Sequence, residues 1–225
     1  MHSISKENYL KTVYHSAGGS GEQVATSKLA DKLEVSNAAT SEMARKLSDA
    51  GLVNYARYKG VGLTESGEKI ALQVLRRHRL WELFLIEILG MSWGEVHDEA
   101  ERLEHCTSDT LINKIEEHLE FPKFDPHGSP IPDREGNLPA MPTLIPINQS
   151  VAGDTYIISK VVDQSSELIN HITSLGIHLN SKIMIVDKLD FDESVRIKIG
   201  NEVHSLSKKV SEHIFVSELN NQDKI

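Results

Sequence analysis

The sequence predicts a mainly α-helical chain with a small β domain: a winged helix-turn-helix, a helical dimerisation segment and a C-terminal SH3-like barrel. Three observations predict it. Apolar residues recur at helical spacing through the first 50 residues and again from Glu65 to Leu119. All seven prolines fall between Pro122 and Pro146, and β-branched, alternating runs take over after residue 150. A chain of 225 residues holds one large domain or two to three small ones, and these breaks divide it at 1–64, 65–146 and 147–225.

The elements follow in order. Lys6–Ser16 carries Tyr9, Leu10, Val13 and Tyr14 at helical spacing and ends at Gly18-Gly19-Ser20-Gly21. Ser27–Leu33 is a short helix with Leu29, Ala30 and Leu33 inward. Val35-Ser36-Asn37 gives a turn and N-cap to Ala38–Ala50, whose inward residues are expected to be Ala39, Met43 and Leu47; Gly51 stands where a C-cap belongs. Leu52–Arg57 and Val61–Thr64 flank Tyr58-Lys59-Gly60 as a hairpin with a basic tip. A helix from Thr64-Glu65 to about Gly90 is apolar on more than one face, which suits a central core or an oligomer interface. Ser92–Leu103 and Asp109–Leu119 are further helices, and Phe121–Pro146 is a linker without helix. Thr155–Val162, Lys182–Leu189, Ser194–Gly200 and Ile214–Val216 read as strands, with Ser165–Leu175 a helix between them.

Composition narrows the function classes. Hydrophobic residues at 39% and charged residues at 25% are ordinary for a globular protein. The longest apolar runs are too short for a membrane span, and the polar N-terminus lacks a signal-peptide core, so a cytoplasmic protein is expected. One cysteine, Cys106, excludes a disulfide framework and a cysteine-rich zinc site; it is expected to pack. The net charge of −9 argues against a nucleic-acid partner until it is divided. Residues 1–80 hold 12 Lys and Arg against 8 Asp and Glu, a balance of +4, whereas the rest holds 12 against 25, a balance of −13. Charge acts locally within a Debye length of about 8–10 Å, so one end suits a polyanion and the other a metal or a protein.

Two constellations carry chemistry. The helix-turn-helix exposes Ser36, Asn37, Ala38, Thr40, Ser41, Arg45 and Lys46 on its second helix, with Ser27 on the first and Arg57 and Lys59 on the wing. Small polar residues at a helix N-terminus approach base edges, and Arg and Lys reach bases or phosphates. The alternative is three small helices packing with a solvated polar face. In His97-Asp98-Glu99-Ala100-Glu101-Arg102-Leu103-Glu104-His105, the residues His97, Glu101, Glu104 and His105 share one helix face. Such a stripe is costly without a cation. His97 lies about 12 Å of helix rise from His105, too far to share one ion, so two sites are expected. His78 and Glu82, one turn apart, offer further ligands, and a solvated Glu/His face is the plain alternative.

The winged helix-turn-helix, Arg77-His78-Arg79-Leu80 with Glu82, and Val96-His97-Asp98-Glu99-Ala100-Glu101 with Glu104-His105 closely resemble the diphtheria toxin repressor family of metal-dependent regulators. Phe121-Pro122-Lys123, Pro126-His127-Gly128 and Pro130-Ile131-Pro132 fit its linker, and Leu175-Gly176-Ile177 with Leu179-Asn180-Ser181 looks like its FeoA-like SH3 domain. The resemblance covers almost the whole chain. It implies a homodimer that binds manganese(II) or iron(II), then a palindromic operator in double-stranded DNA, and represses metal-uptake genes. It places a principal metal site at Asn8, Glu101, Glu104 and His105, and another at His78, Glu82 and His97 with a carboxylate best matched by Asp163. A linker pair used by some manganese-responsive relatives falls on Asp125 and His127. Two positions depart from the pattern: Glu101 replaces the sulfur ligand of iron-responsive members, and Asn8 stands where relatives use Asp or Met, with Glu7 or a water as its substitute. An oxygen and nitrogen shell favours manganese. Two other readings are a winged-helix regulator not gated by metal, and a metal-dependent phosphohydrolase using His97-Asp98. The second is weakened because Asp98 points about 100° away from His97.

Overall fold

The computed structural model describes residues 4–19, 21–56, 59–162 and 166–219. The chain forms two compact units: residues 1–78, 101–114 and 132–138 make the first, and residues 79–100, 115–131 and 139–225 the second.

The first unit begins with α1 (Ile4–Ser16), α2 (Thr26–Lys32) and α3 (Asn37–Asp49). The Ser36 side chain caps α3 by accepting the Ala39 amide at 3.2 Å. At its other end Gly51, at φ 71°, donates to Ser48 O, and Leu52 donates to Leu47 O, both at 2.9 Å. This pair is a Schellman motif, and its left-handed residue is the reason for glycine. β1 (Val53–Ala56) and β2 (Gly60–Leu63) pair antiparallel, and Val24 adds a bridge to Val61. Tyr9, Leu10, Val13, Leu29, Ala44, Leu47, Val53 and Val61 close the core beneath them.

The fully buried residues of α3 are Thr40, Ala44 and Leu47; Met43 is half-buried and packs against the core as expected, whereas Ala39 does not. Ala39 is exposed, and Thr40 is 1% exposed with its hydroxyl on Ser36 O and its carbonyl accepting from Tyr9. With alanines and threonine in neighbouring positions, the apolar signal is too weak to set the helix phase within one residue.

α4 (Glu65–Glu87), α5 (Val96–Glu104) and α6 (Asp109–His118) follow, each slightly shorter than its sequence pattern. No helix among the described residues is long and apolar enough to cross a membrane.

The second unit holds a six-stranded antiparallel sheet of β3 (Ile145–Pro146), β4 (Thr155–Val161), β5 (Lys182–Leu189), β6 (Ser194–Ile199), β7 (Glu202–Leu206) and β8 (Ile214–Glu218), in the order β3-β8-β4-β5-β6-β7. α7 (Ser166–Ser174) and the single turn α8 (Lys208–Ser211) complete it. β7 escapes the sequence reading because it is an edge strand with only Leu206 buried, leaving no apolar alternation. Ile158, Ile172, Ile183, Ile185, Ile197 and Val216 fill the core, and Trp93 packs against it.

The proline segment is not helical, but it is held firmly where it matters. Phe124 bridges Pro130, the Ile131 amide donates to Lys123 O at 2.8 Å, and the Val161 amide of β4 donates to His127 O at 2.9 Å. Gly128 sits at φ 83°, and a Cβ there would lie 2.1 Å from Ser159 O. Gly128→Ala should therefore lower stability by at least about 1–2 kcal/mol, the cost of a left-handed alanine alone. A thermal melt unchanged from wild type would contradict this packing.

Candidate metal centres and nucleic-acid interface

The first cluster lies within the first unit. Burying Tyr9, Leu10 and Val13 turns Glu7 and Lys11, one turn apart on α1, toward α4 and α5, where they are 5% and 7% exposed. Lys11 Nζ donates to Glu101 Oε1 at 2.7 Å and to Glu104 Oε1 at 2.6 Å. His78 Nδ1 donates to Glu104 Oε2 at 2.6 Å, and His105 Nε2 lies 3.1 Å from Glu104 Oε1. His105 Nδ1 donates to Glu7 Oε2 at 2.6 Å, and Arg77 stands 3.5 Å from the other oxygen of Glu7. Ligand atoms of His78, Glu101 and Glu104 fall within 4.8 Å of one another. Asn8 Oδ1 is buried and accepts no hydrogen bond.

Charge decides the protonation here. Burial alone would raise the Glu104 carboxyl, yet hydrogen bonds from His105 and His78 and the charge of Lys11 hold it well below the usual carboxylate range. Burial opposes the charged His105 ring, but hydrogen bonds to Glu104 and Glu7 outweigh it and push the imidazole up to about 9.

The second cluster lies within the second unit. Glu82 on α4, with Asp125 and His127 in the proline segment, is 0% exposed; the latter two are 3% and 1% exposed. Their ligand atoms also fall within 4.8 Å of one another. His97 Nδ1 is 3.4 Å from Glu82 Oε1, and His127 Nδ1 is 3.7 Å from Glu82 Oε2. The backbone amides of His127 and Ser129 both donate to Asp125 Oδ1 at 2.8 Å, while Arg79 stands 3.5 Å from its other oxygen. The His127 ring stacks on Trp93 with centroids 5.3 Å apart and planes inclined 14°. Two carboxylates and two imidazoles converging without sulfur make a hard donor set that fits manganese(II) or iron(II).

Most of the expected ligands fall into these two clusters. His78 meets Glu104, His105 takes Glu7 as its carboxylate partner, and the linker pair joins Glu82 and His97. Asp163 lies outside the described residues, as does Arg57 on the wing. Cys106, expected to pack, is exposed, because the helix ends at Glu104 and releases it into a turn. Lys11 and Arg77 join the first cluster without having been singled out as site residues, and the i, i+4 spacing of Glu7 and Lys11 is the signal the sequence offers for the first of them.

On the reading face, Ser27, Ser36, Asn37, Ala38, Arg45, Lys46 and Lys59 are exposed and Ser41 is half-buried. Lys46 also pairs with Glu42 at 2.7 Å. Thr40 is removed from this face by its burial.

Comparison with known proteins adds three matches. Residues 1–61 match the iron-dependent repressor N-terminal DNA-binding domain, residues 64–133 the iron-dependent repressor metal-binding and dimerisation domain, and residues 145–218 the FeoA domain. A solved manganese-dependent transcriptional repressor in complex with manganese is 36% identical with a TM-score of 0.87, covering 95% of this chain and 100% of that one. The structure of ScaR with bound Cd2+ is 28% identical with a TM-score of 0.82, covering 95% and 99%. The iron-dependent repressor IdeR of Mycobacterium tuberculosis is 28% identical over 191 residues, covering 80% of this chain and 82% of that protein.

The His105 proton carries a pH signature. Because its folded value is raised from 6.5 to about 9, the stability it adds is complete below pH 6.5 and is lost as pH rises through 9. Thermal melts of chelator-treated protein should decline across that window, and His105→Gln should flatten the decline. A wild-type profile that stays level would contradict a protonated His105.

Proposed function

We propose a mode of action from one premise: the chain belongs to the iron-dependent repressor family and is a metal-dependent, DNA-binding transcriptional repressor. The observation that carries the proposal is the burial of Glu82, Asp125 and His127 around a common point. Arg79 stands 3.5 Å from Asp125, and a cation between the two carboxylates would relieve the repulsion that remains in so dry a place. The second cluster, with His97 at its rim, is read as the sensing site for manganese(II), or iron(II) where that ion is more available. A divalent ion bound there supplies the positive charge that offsets both carboxylates.

The chain's own residues do the rest. Paired amides fix the Asp125 carboxylate, Trp93 and the Val161 amide fix His127, and Glu82 rides on α4, the helix that begins two residues after the wing strand β2. Ordering the cluster therefore orders a helix joined directly to the reading head. In a homodimer two α3 helices meet successive major grooves about 34 Å apart, which matches a palindromic operator. Ser36, Asn37, Ala38 and Ser41 at the start of α3 are the candidates for base edges; Ser27, Arg45, Lys46 and Lys59 are the candidates for phosphate contacts. The segments 1–64, 65–146 and 147–225 are read as the DNA-binding, metal-binding and dimerisation, and SH3-like domains. The regulated genes are those of metal uptake, and the compartment is the cytoplasm.

Gel shifts with operator DNA test this reading. Asp125→Ala should reduce affinity at saturating manganese to the level of chelated wild type, leaving the chelated level itself unchanged. Arg45→Ala should weaken binding with and without metal and lower the salt slope by about 1. Manganese-stimulated binding by Asp125→Ala equal to wild type would exclude the second cluster as the sensor.

A further inference from the structure

The stripe of α5 that first suggests a metal site is occupied by something else. Lys11 Nζ lies between Glu101 and Glu104, 2.7 and 2.6 Å from their Oε1 atoms, the position in which a shared cation serves both. The Lys11 side chain is 9% exposed and that of Glu104 is 0% exposed, so this is an interior ion pair held against exchange with water. His78 completes the second oxygen of Glu104, and His105 closes the cluster against Glu7. Every carboxylate in the cluster has a cationic or hydrogen-bonding partner from the chain itself. A divalent ion entering between Glu104 and Glu101, whose side chain is 38% exposed, would have to displace the Lys11 ammonium from both carboxylates.

We propose that Lys11 is an internal cation that replaces the metal of the first cluster, tying α1 to the end of α5 whether or not metal is present. The first cluster is then a permanent latch, and the metal response belongs to the second cluster alone. Asn8 is not a ligand in this arrangement, and an amide suffices where a carboxylate would add a further negative charge. The inference rests on the second cluster being the metal sensor, as proposed above, and limits the chain to one regulatory ion.

Calorimetric titration of the chelated, full-length protein with manganese(II) tests it. The wild type should take one equivalent per chain, Asp125→Ala none, and Lys11→Met two, because methionine keeps the length of the side chain and removes its charge. Lys11→Arg, which keeps the charge, should return to one. Two equivalents in the wild type, or no more metal in Lys11→Met than in the wild type, would overturn the latch. No uptake by the wild type together with one equivalent in Lys11→Met would uphold the latch and overturn the sensor. If Lys11→Met fails to fold, the wild type still decides: an amine-reactive reagent should modify Lys11 slowly, and saturating manganese should leave that rate unchanged. Faster modification of Lys11 on adding manganese would mean that the ion displaces it.

Discussion

Buried carboxylates govern this structure. Glu104 and Glu82 are fully buried and Asp125 nearly so, in a chain whose second part is strongly acidic. An ionised carboxylate in such a place is tolerated only with a cation or several hydrogen bonds, and breaking a buried pair by removing one partner costs about 3–5 kcal/mol. The fold meets this demand in two ways. In the first unit, lysine, arginine and protonated histidine supply the charge. In the second, Arg79 and two backbone amides hold Asp125, while Glu82 faces the imidazoles of His97 and His127.

This division separates permanence from response. A covalently attached ammonium is always present, so the first cluster has one state. A diffusible ion is present only above a threshold concentration, so a cluster dependent on it has two states, and a ligand that favours one of them shifts the population. The gating of DNA binding by metal then needs no more than a differential affinity, expressed through a helix that begins at the wing. The net positive charge of the first 80 residues supplies attraction to DNA in either state.

Much of this was legible in the sequence. Helical periodicity together with the Ser36 cap and the Gly51 stop located the helix-turn-helix, and the spacing of His97 from His105 pointed to two clusters. What periodicity could not supply was convergence. Nothing in the α1 pattern says that Lys11, a residue type that usually lies in water, turns toward Glu104 some ninety positions later. Asp125 and His127 lie in a segment without period, and only resemblance singled them out; their burial follows from the backbone bonds that fold residues 123–131 against β4. The phase error at Thr40 and the missed strand β7 share a cause, since small or solvated side chains leave the inward face unmarked.

The most direct measurement is anomalous diffraction at the manganese edge from crystals of the full chain grown with manganese(II). The account predicts one peak per chain, bounded by Glu82, Asp125 and His127, with Lys11 still between Glu101 and Glu104. A peak between Glu101 and Glu104 with Lys11 turned away, or no peak beside Asp125, would contradict it.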